Sequence, residues 1–151
     1  MAARTRKLKK RSASSAKPPE GGELGRVTFF VDRSLGSRFV PDALRAAGAR
    51  VEIHDAHFSL DAEDVDWLST AGARGWVVLS KDEAIRRRSH EIETLRRANV
   101  RAFLLTSAKL NGEQMAMLFS RLALKMARLA VNTSAPFVFA VNSARKFRRL
   151  L

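Results

Sequence analysis

The sequence predicts an α/β fold centred on a mostly parallel, doubly wound β-sheet. Short runs rich in β-branched and aromatic residues alternate with longer helical patterns from about residue 26 onward. The first run, at 27–31, is apolar on both faces, which is typical of a strand in the middle of a parallel sheet. Helices between consecutive strands imply right-handed crossover connections, and such connections make the strands parallel.

The first half of this alternation supplies two strands and two helices. After the strand at 27–31, residues 40–48 form a short helix that ends at a glycine, and residues 50–54 form the second strand. The next helix covers 61–73, where glycines end it. The apolar stripe of that helix consists of Leu60, Trp67, Leu68 and Ala71.

The second half repeats the pattern. Residues 76–79 form the third strand, and 83–98 form a helix that is broken near Ser89. The run Asn-Gly-Glu-Gln at 111–114 opens a long amphipathic helix that extends to about residue 131. The fourth and fifth strands cover 101–105 and 136–141.

The net charge of +13 is concentrated at the two ends of the chain. Residues 1–19 hold seven basic residues and no acid, and residues 143–151 hold four basic residues and no acid. The stretch between them contains the other 17 basic residues and all 15 acids. We therefore predict a disordered basic leader at 1–24, a folded domain at 25–142 and a basic C-terminal tail at 143–151. The charged ends would attract a polyanion such as RNA.

The composition excludes several classes of protein. The chain of 151 residues has no cysteine, so it has no disulfide framework, thiolate zinc site or cysteine nucleophile. Its length suits one domain, and an apolar content of 46% is enough to build a core. No apolar run approaches the roughly 20 residues of a membrane-spanning helix. We therefore expect a cytoplasmic protein that does not enter a membrane.

Three aspartates are predicted to lie near one edge of the sheet. Asp32 directly follows the first strand and Asp82 follows the third, and open parallel sheets bind ligands beyond these strand ends. Asp64 precedes Trp67 and Leu68 by three and four residues, which places it on the inward face of its helix. A divalent cation shared by the three acids would neutralise them. Carboxylates without Cys or paired His favour Mg²⁺ or Mn²⁺, and such a site supports phosphodiester hydrolysis.

Each acid also has a purely structural interpretation. Asp32 is compatible with a cap on the turn that follows it, and Asp64 with an acidic helix N-terminus. Ser80 and Glu83 match a capping box, which would leave Asp82 as an ordinary first-turn acid. The common placement of all three acids at one rim favours the functional interpretation.

The order and spacing of these motifs resemble the PIN-like nucleases. The resemblance covers roughly residues 26–110 and rests on a strand that ends in Asp32, the run Glu-Asp-Val-Asp-Trp-Leu at 63–68, and Ser-Lys-Asp at 80–82, which is close to the family's Thr-Lys-Asp. It implies a three-layer α/β/α sandwich that binds Mg²⁺ or Mn²⁺ and cleaves RNA, often as the toxin of a toxin–antitoxin pair. Asp32, Asp64 and Asp82 match the family's metal-binding acids.

The family's fourth acid has no clear equivalent in the sequence. Glu83 is adjacent to Asp82 but would project differently, and Glu91 or Glu93 requires a particular course of the helix. Ser80 also replaces the usual threonine. An incomplete site therefore remains open as an alternative.

Five arginines close to the acids are candidates for binding the RNA backbone, because each phosphate contact adds affinity. A solvated helix face explains the three that follow Asp82 equally well. The candidates are Arg33, Arg38, Arg86, Arg87 and Arg88.

Two histidines follow the second strand closely. His54, Asp55 and His57 suggest a metal site by their proximity, but their spacing matches no common zinc pattern. We expect a polar loop with a solvated histidine instead.

The long helix after residue 111 is apolar on more than one face. Packing against the sheet explains most of this pattern. The excess favours part of a homodimer interface, or a surface for an antitoxin.

The sequence as a whole predicts a metal-dependent endoribonuclease, the toxin of a pair that an antitoxin restrains. The alternative is a non-catalytic RNA-binding module on a degenerate PIN-like domain, in which the basic ends supply the binding. A receiver-like regulatory domain ranks last, because it requires a second acid beside Asp32 and the neighbour is Arg33.

Overall fold

The computed structural model describes residues 22–107 and 109–151, and these form a three-layer α/β/α sandwich. One sheet lies between two layers of helices. Its strands are β1 Thr28–Val31, β2 Arg50–Ile53, β3 Val77–Ser80, β4 Arg101–Leu105, β5 Phe137–Val141 and β6 Phe147–Arg149. The helices are α1 Phe39–Ala46, α2 Asp64–Ala73, α3 Ala84–Arg87, α4 Ser89–Arg97 and α5 Gly112–Asn132. No helix of the described part is both long and apolar enough to cross a bilayer.

The sheet has the strand order β2-β1-β3-β4-β5-β6. The first five strands are parallel, and β6 runs antiparallel to β5. The predicted, mostly parallel α/β fold is thereby confirmed. Because β1 and β3 are neighbours in the middle of the sheet, the residues that follow their carboxyl ends meet at one edge.

Each face of the sheet packs against its own hydrophobic core. Phe29 and Phe30 are consecutive in β1, so they point to opposite faces, and both are fully buried. Phe29 packs with α1 and α5, whereas Phe30 packs with α2, α3 and α4. Two covered faces explain why β1 is apolar at every inner position instead of alternating.

The second helix starts later than its sequence pattern suggests. It begins at Asp64, and residues 61–63 form a turn and extended chain before it. Trp67, Leu68 and Ala71 are buried as predicted. Leu60 is 68% exposed, so its assignment to the apolar stripe was wrong, because it lies outside the helix.

The predicted break near Ser89 is confirmed. Arg88 has extended backbone dihedral angles, φ −79° and ψ 128°, and it separates α3 from α4. The helical path is therefore interrupted between α3 and α4, and α4 packs against α2. This interruption decides which side chains of α4 point towards the acids.

The predicted basic tail at 143–151 was wrong, because this segment contains β6. The antiparallel pairing places Phe147 against Val141, and the ring of Phe147 meets the ring of Phe103 edge-on at 5.8 Å. Leu150 and Leu151 pack against the opposite core. An edge strand tolerates the basic residues between these apolar contacts, because their side chains remain exposed.

The leader boundary predicted at residue 24 was also too late. Gly22–Arg26 forms a 3₁₀ turn in which Leu24 is buried against the core of α1 and α5. Glu23 forms an ion pair with Arg128 of α5, with an N–O distance of 2.8 Å. Residues 1–21 of the predicted leader lie outside the described residues.

Candidate active site

Asp32 is held at the carboxyl edge of the sheet by two serines. Its side chain is largely buried, at 6% exposure, and Oδ2 accepts hydrogen bonds from Ser34 Oγ at 2.7 Å and Ser80 Oγ at 2.8 Å. Each hydroxyl in turn accepts a backbone N–H at 3.0 Å, from Lys81 to Ser34 and from Asp82 to Ser80. A relay from backbone to hydroxyl to carboxylate therefore fixes one oxygen of Asp32.

The hydrogen bonds of Asp32 do not match a turn cap. The 3₁₀ turn that follows, Arg33–Leu35, has no side-chain cap hydrogen bond from Asp32. The carboxylate instead contacts Ser80, at the end of a different strand, so its position depends on the tertiary fold.

Asp82 lies on the same edge, two residues after β3. Its Oδ1 accepts the backbone N–H of Ala84 at 2.9 Å, so Asp82 caps the turn into α3. The capping box proposed for Ser80 and Glu83 does not form, because the Glu83 carboxylate pairs with Arg86 at 2.7 Å. Ser80 links the two predicted acids, since its hydroxyl contacts both Asp32 and the backbone of Asp82.

Asp64 is the first residue of α2 and is half-buried. Its Oδ1 accepts a hydrogen bond from the indole Nε1 of Trp67 at 2.9 Å. Asp66, two residues further along the helix, is exposed. The prediction that Asp64 faces inward while Asp66 points away is therefore confirmed.

Glu91 is the functional candidate that the sequence left unassigned. It belongs to α4 and is 1% exposed, and its Oε2 has no hydrogen-bond partner among the described residues. Burial raises the pKa of Glu91 to about 7, and the neighbouring carboxylate of Asp64 and the negative charge of Asp82 act in the same direction. Arg88, with its guanidinium 3.5 Å from Oε1, opposes the shift.

A signal for Glu91 exists in the sequence. Leu95 is fully buried and lies four residues later in the same helix, so Glu91 shares its inward face. This spacing assigns Glu91 to the inward face only when the start of α4 is known. Glu93 points outward and pairs with Arg97 at 2.9 Å.

The acids form two connected groups. The negative charges of Asp64 and Asp82 both act on Glu91, whereas Asp32 belongs to the serine network and is linked to the backbone of Asp82 through Ser80. Within residues 22–107 and 109–151, no three His, Asp or Glu side chains already surround one point as a metal-binding cluster. A single cation shared by Asp32, Asp64 and Asp82 therefore remains a prediction.

The donor set nevertheless suits a hard divalent cation. Glu91 presents a buried carboxylate oxygen without a described partner next to the carboxylate of Asp64, and two such like charges require a cation or a proton between them. All the side chains involved supply oxygen, which Mg²⁺ and Mn²⁺ prefer. A cavity of about 350 Å³ opens at this pair and gives access from solvent.

The structure separates the five predicted RNA-binding arginines. Arg33 and Arg88 line the cavity at Asp64 and Glu91. Arg86 and Arg87 pair with Glu83, and the guanidinium of Arg38 lies over the ring of Phe39 at 5.0 Å from its centroid. Of the five arginines, Arg33 and Arg88 are therefore the two that lie beside Asp64 and Glu91.

The expectation of a solvated histidine was wrong for His54. This side chain is 1% exposed and lies among the rings of Phe30, Phe58 and Trp67, at centroid distances of 5.4 to 6.2 Å. These rings come from three separate segments, which explains why local sequence does not reveal the burial. His57 instead contacts Glu52 at 2.6 Å.

Comparison with known proteins agrees with this architecture. The family model described as "PIN like domain" matches residues 27–107. The chain is also 32% identical, over 126 residues, to the protein named "Putative ribonuclease VapC45" from Mycobacterium tuberculosis (strain ATCC 25618 / H37Rv); the alignment covers 81% of this chain and 91% of that protein. No solved structure gives a significant match. The chain therefore belongs to the PIN-like domain family.

Proposed function

We propose that this protein is a metal-dependent endoribonuclease and acts in the cytoplasm as the toxin of a toxin–antitoxin pair. The observation that carries the proposal is Glu91, a buried acid next to Asp64. The negative charge of Asp82 also acts on Glu91, and Asp32 lies at the same edge of the sheet. The name of the mycobacterial relative describes a ribonuclease, which supports the same activity.

Within the proposal, Asp64 and Glu91 are the main ligands of Mg²⁺ or Mn²⁺, and Asp82 and Asp32 complete the acidic site. When bound, such a cation activates a water molecule and neutralises charge on the phosphate. The serine hydroxyls of Ser34 and Ser80 hold Oδ2 of Asp32 at this edge. Glu91 would be the fourth acid that the sequence left open.

Arg33 and Arg88 are proposed to bind RNA phosphates next to Asp64 and Glu91. Both line the cavity, and the Arg88 guanidinium also reaches Glu91. A guanidinium can bind two phosphate oxygens at once, which positions the backbone without reading its sequence. Arg38, Arg86 and Arg87 would contribute mainly to the long-range attraction of RNA.

The test is cleavage of a labelled structured RNA by the purified chain, with Mg²⁺ or Mn²⁺ present, after chelation, and after the metal is restored. We expect cleavage only with metal, and a loss of roughly 100-fold or more in Asp64→Asn and Glu91→Gln. Asp66→Asn and Glu93→Gln are matched controls on the same helices, and they should cleave normally. Tight RNA binding without cleavage in any metal would favour the non-catalytic alternative.

The proposed antitoxin and homodimer contacts involve α5. Met117, Leu124 and Val131 are exposed and lie at seven-residue intervals, so they form one apolar stripe along this helix. We assign self-association to this stripe. The Leu124→Glu variant should lower the mass measured by light scattering from dimer to monomer, and an unchanged mass would contradict the assignment.

A further inference from the structure

We propose that Trp67 is a positioning residue for the Asp64 carboxylate. This inference rests on the proposed function, in which Asp64 binds the metal. The two residues are three positions apart in the first turns of α2, so both side chains lie on the same face. The indole Nε1 donates to Asp64 Oδ1 at 2.9 Å.

The face of the indole ring of Trp67 packs against an aromatic side chain of the core. Trp67 is 1% exposed and stacks on Phe30, with ring centroids 5.4 Å apart and an interplanar angle of 28°. Trp76 stacks on the same phenylalanine at 5.3 Å and 6°. Phe30 belongs to β1, two residues before Asp32. The strand that leads directly into Asp32 thus also packs against the indole that orients Asp64.

The chemistry of the donor suits an orienting role. An indole N–H donates one hydrogen bond, accepts none and carries no charge. It therefore fixes the rotation of the carboxylate and leaves the full negative charge of Asp64 available to a cation. An arginine or lysine in this place would compete with the metal for that charge. Groups that orient metal ligands in this way commonly change metal affinity by 10-fold to 100-fold when they are removed.

A merely structural role makes a different prediction. The hydrogen bond also satisfies the only polar group of a buried tryptophan, and that function alone would affect stability but leave metal affinity unchanged. The decisive readout is therefore the affinity for metal, measured apart from RNA cleavage.

The experiment compares Trp67→Phe with Trp76→Phe. Both replace a buried indole in the same aromatic stack, but only Trp67 donates to an acid of the site. We expect Mn²⁺ binding, measured by electron paramagnetic resonance of the free ion, to weaken roughly 10-fold or more in Trp67→Phe. The Mn²⁺ affinity of Trp76→Phe should stay within about twofold of that of the original protein. Circular dichroism checks that each variant is folded.

A second measurement requires no substitution of Trp67. The chain contains two tryptophans, so its ¹⁵N spectrum has two indole N–H signals, and Trp76→Phe assigns them. During a Mg²⁺ titration, the Trp67 indole signal should shift with the same midpoint as the backbone signal of Asp64. A shift of Asp64 without one of Trp67 would overturn the inference.

The outcomes separate this inference from the proposed function. If the original protein binds no Mn²⁺, the proposed metal site is wrong, and the inference is overturned with it. If it binds Mn²⁺ and Trp67→Phe binds equally well, the metal site stands and the positioning role of Trp67 is overturned.

Discussion

Glu91→Gln should stabilise the protein in the absence of metal at neutral and higher pH. Glu91 is 1% exposed, and its pKa is raised from the ordinary 4.5 to about 7 by burial and by the neighbouring Asp64. The native state therefore binds this proton more tightly than the unfolded state does. Consequently, the free energy of unfolding must fall as the pH rises from 4.5 to 7.

The size of the effect follows from the shift. At about 1.4 kcal/mol per pKa unit, the raised pKa lowers the free energy of unfolding by roughly 3 kcal/mol once Glu91 is fully ionised. Glutamine has nearly the same shape and no charge, and its amide can donate to the Asp64 carboxylate. We expect Glu91→Gln to exceed the original protein in stability by roughly 3 kcal/mol at pH 8, and to match it below pH 4.5, where the glutamate is protonated.

The assay is urea unfolding at a series of pH values in the presence of a chelator. Titrating groups away from this site affect both proteins alike, so the difference between their unfolding free energies reports Glu91 together with the acids next to it. Glu93→Gln is the control, because Glu93 is exposed and pairs only with Arg97 at the surface. A Glu91→Gln variant that is less stable than the original at pH 8, or a difference that does not depend on pH, would show that the charge of Glu91 does not destabilise the native state.

Three further predictions concern the relay, the packing and the last strand. Ser80→Ala should slow RNA cleavage roughly 10-fold by releasing Asp32, whereas Ser80→Thr, which keeps the hydroxyl, should cleave normally; equal rates would contradict the relay. Gly72→Ala should lower the unfolding free energy by about 1–3 kcal/mol, because a Cβ there would overlap the carbonyl oxygen of Ala98; unfolding in urea checks this. Phe147→Ala should lower it by about 2 kcal/mol, because the ring packs on the sheet; an unchanged unfolding curve would mean that β6 adds no stability.

The parts of the fold that local patterns determine were predictable. The strands before Asp32 and Asp82 are continuous apolar runs, and the rule that parallel strands present their carboxyl ends at one edge placed both acids correctly. The spacing of Asp64 to Trp67 likewise showed which face of α2 the acid occupies.

The parts that depend on tertiary contacts were not predictable. The extended backbone of Arg88 sets the orientation of α4, and only this orientation brings Glu91 to Asp64. The burial of His54 requires rings from three segments. The C-terminal residues have four bases among nine positions, a pattern typical of a solvated tail, and only the pairing of Phe147 with Val141 shows the edge strand.

The central claim, that these acids form the metal site of a ribonuclease, is tested most directly by an anomalous difference map from crystals soaked in Mn²⁺. The proposed site predicts a peak in direct contact with carboxylate oxygens of both Asp64 and Glu91, and its loss in crystals of Glu91→Gln. Mn²⁺ bound elsewhere, in a protein that cleaves RNA only with Mn²⁺, would contradict it.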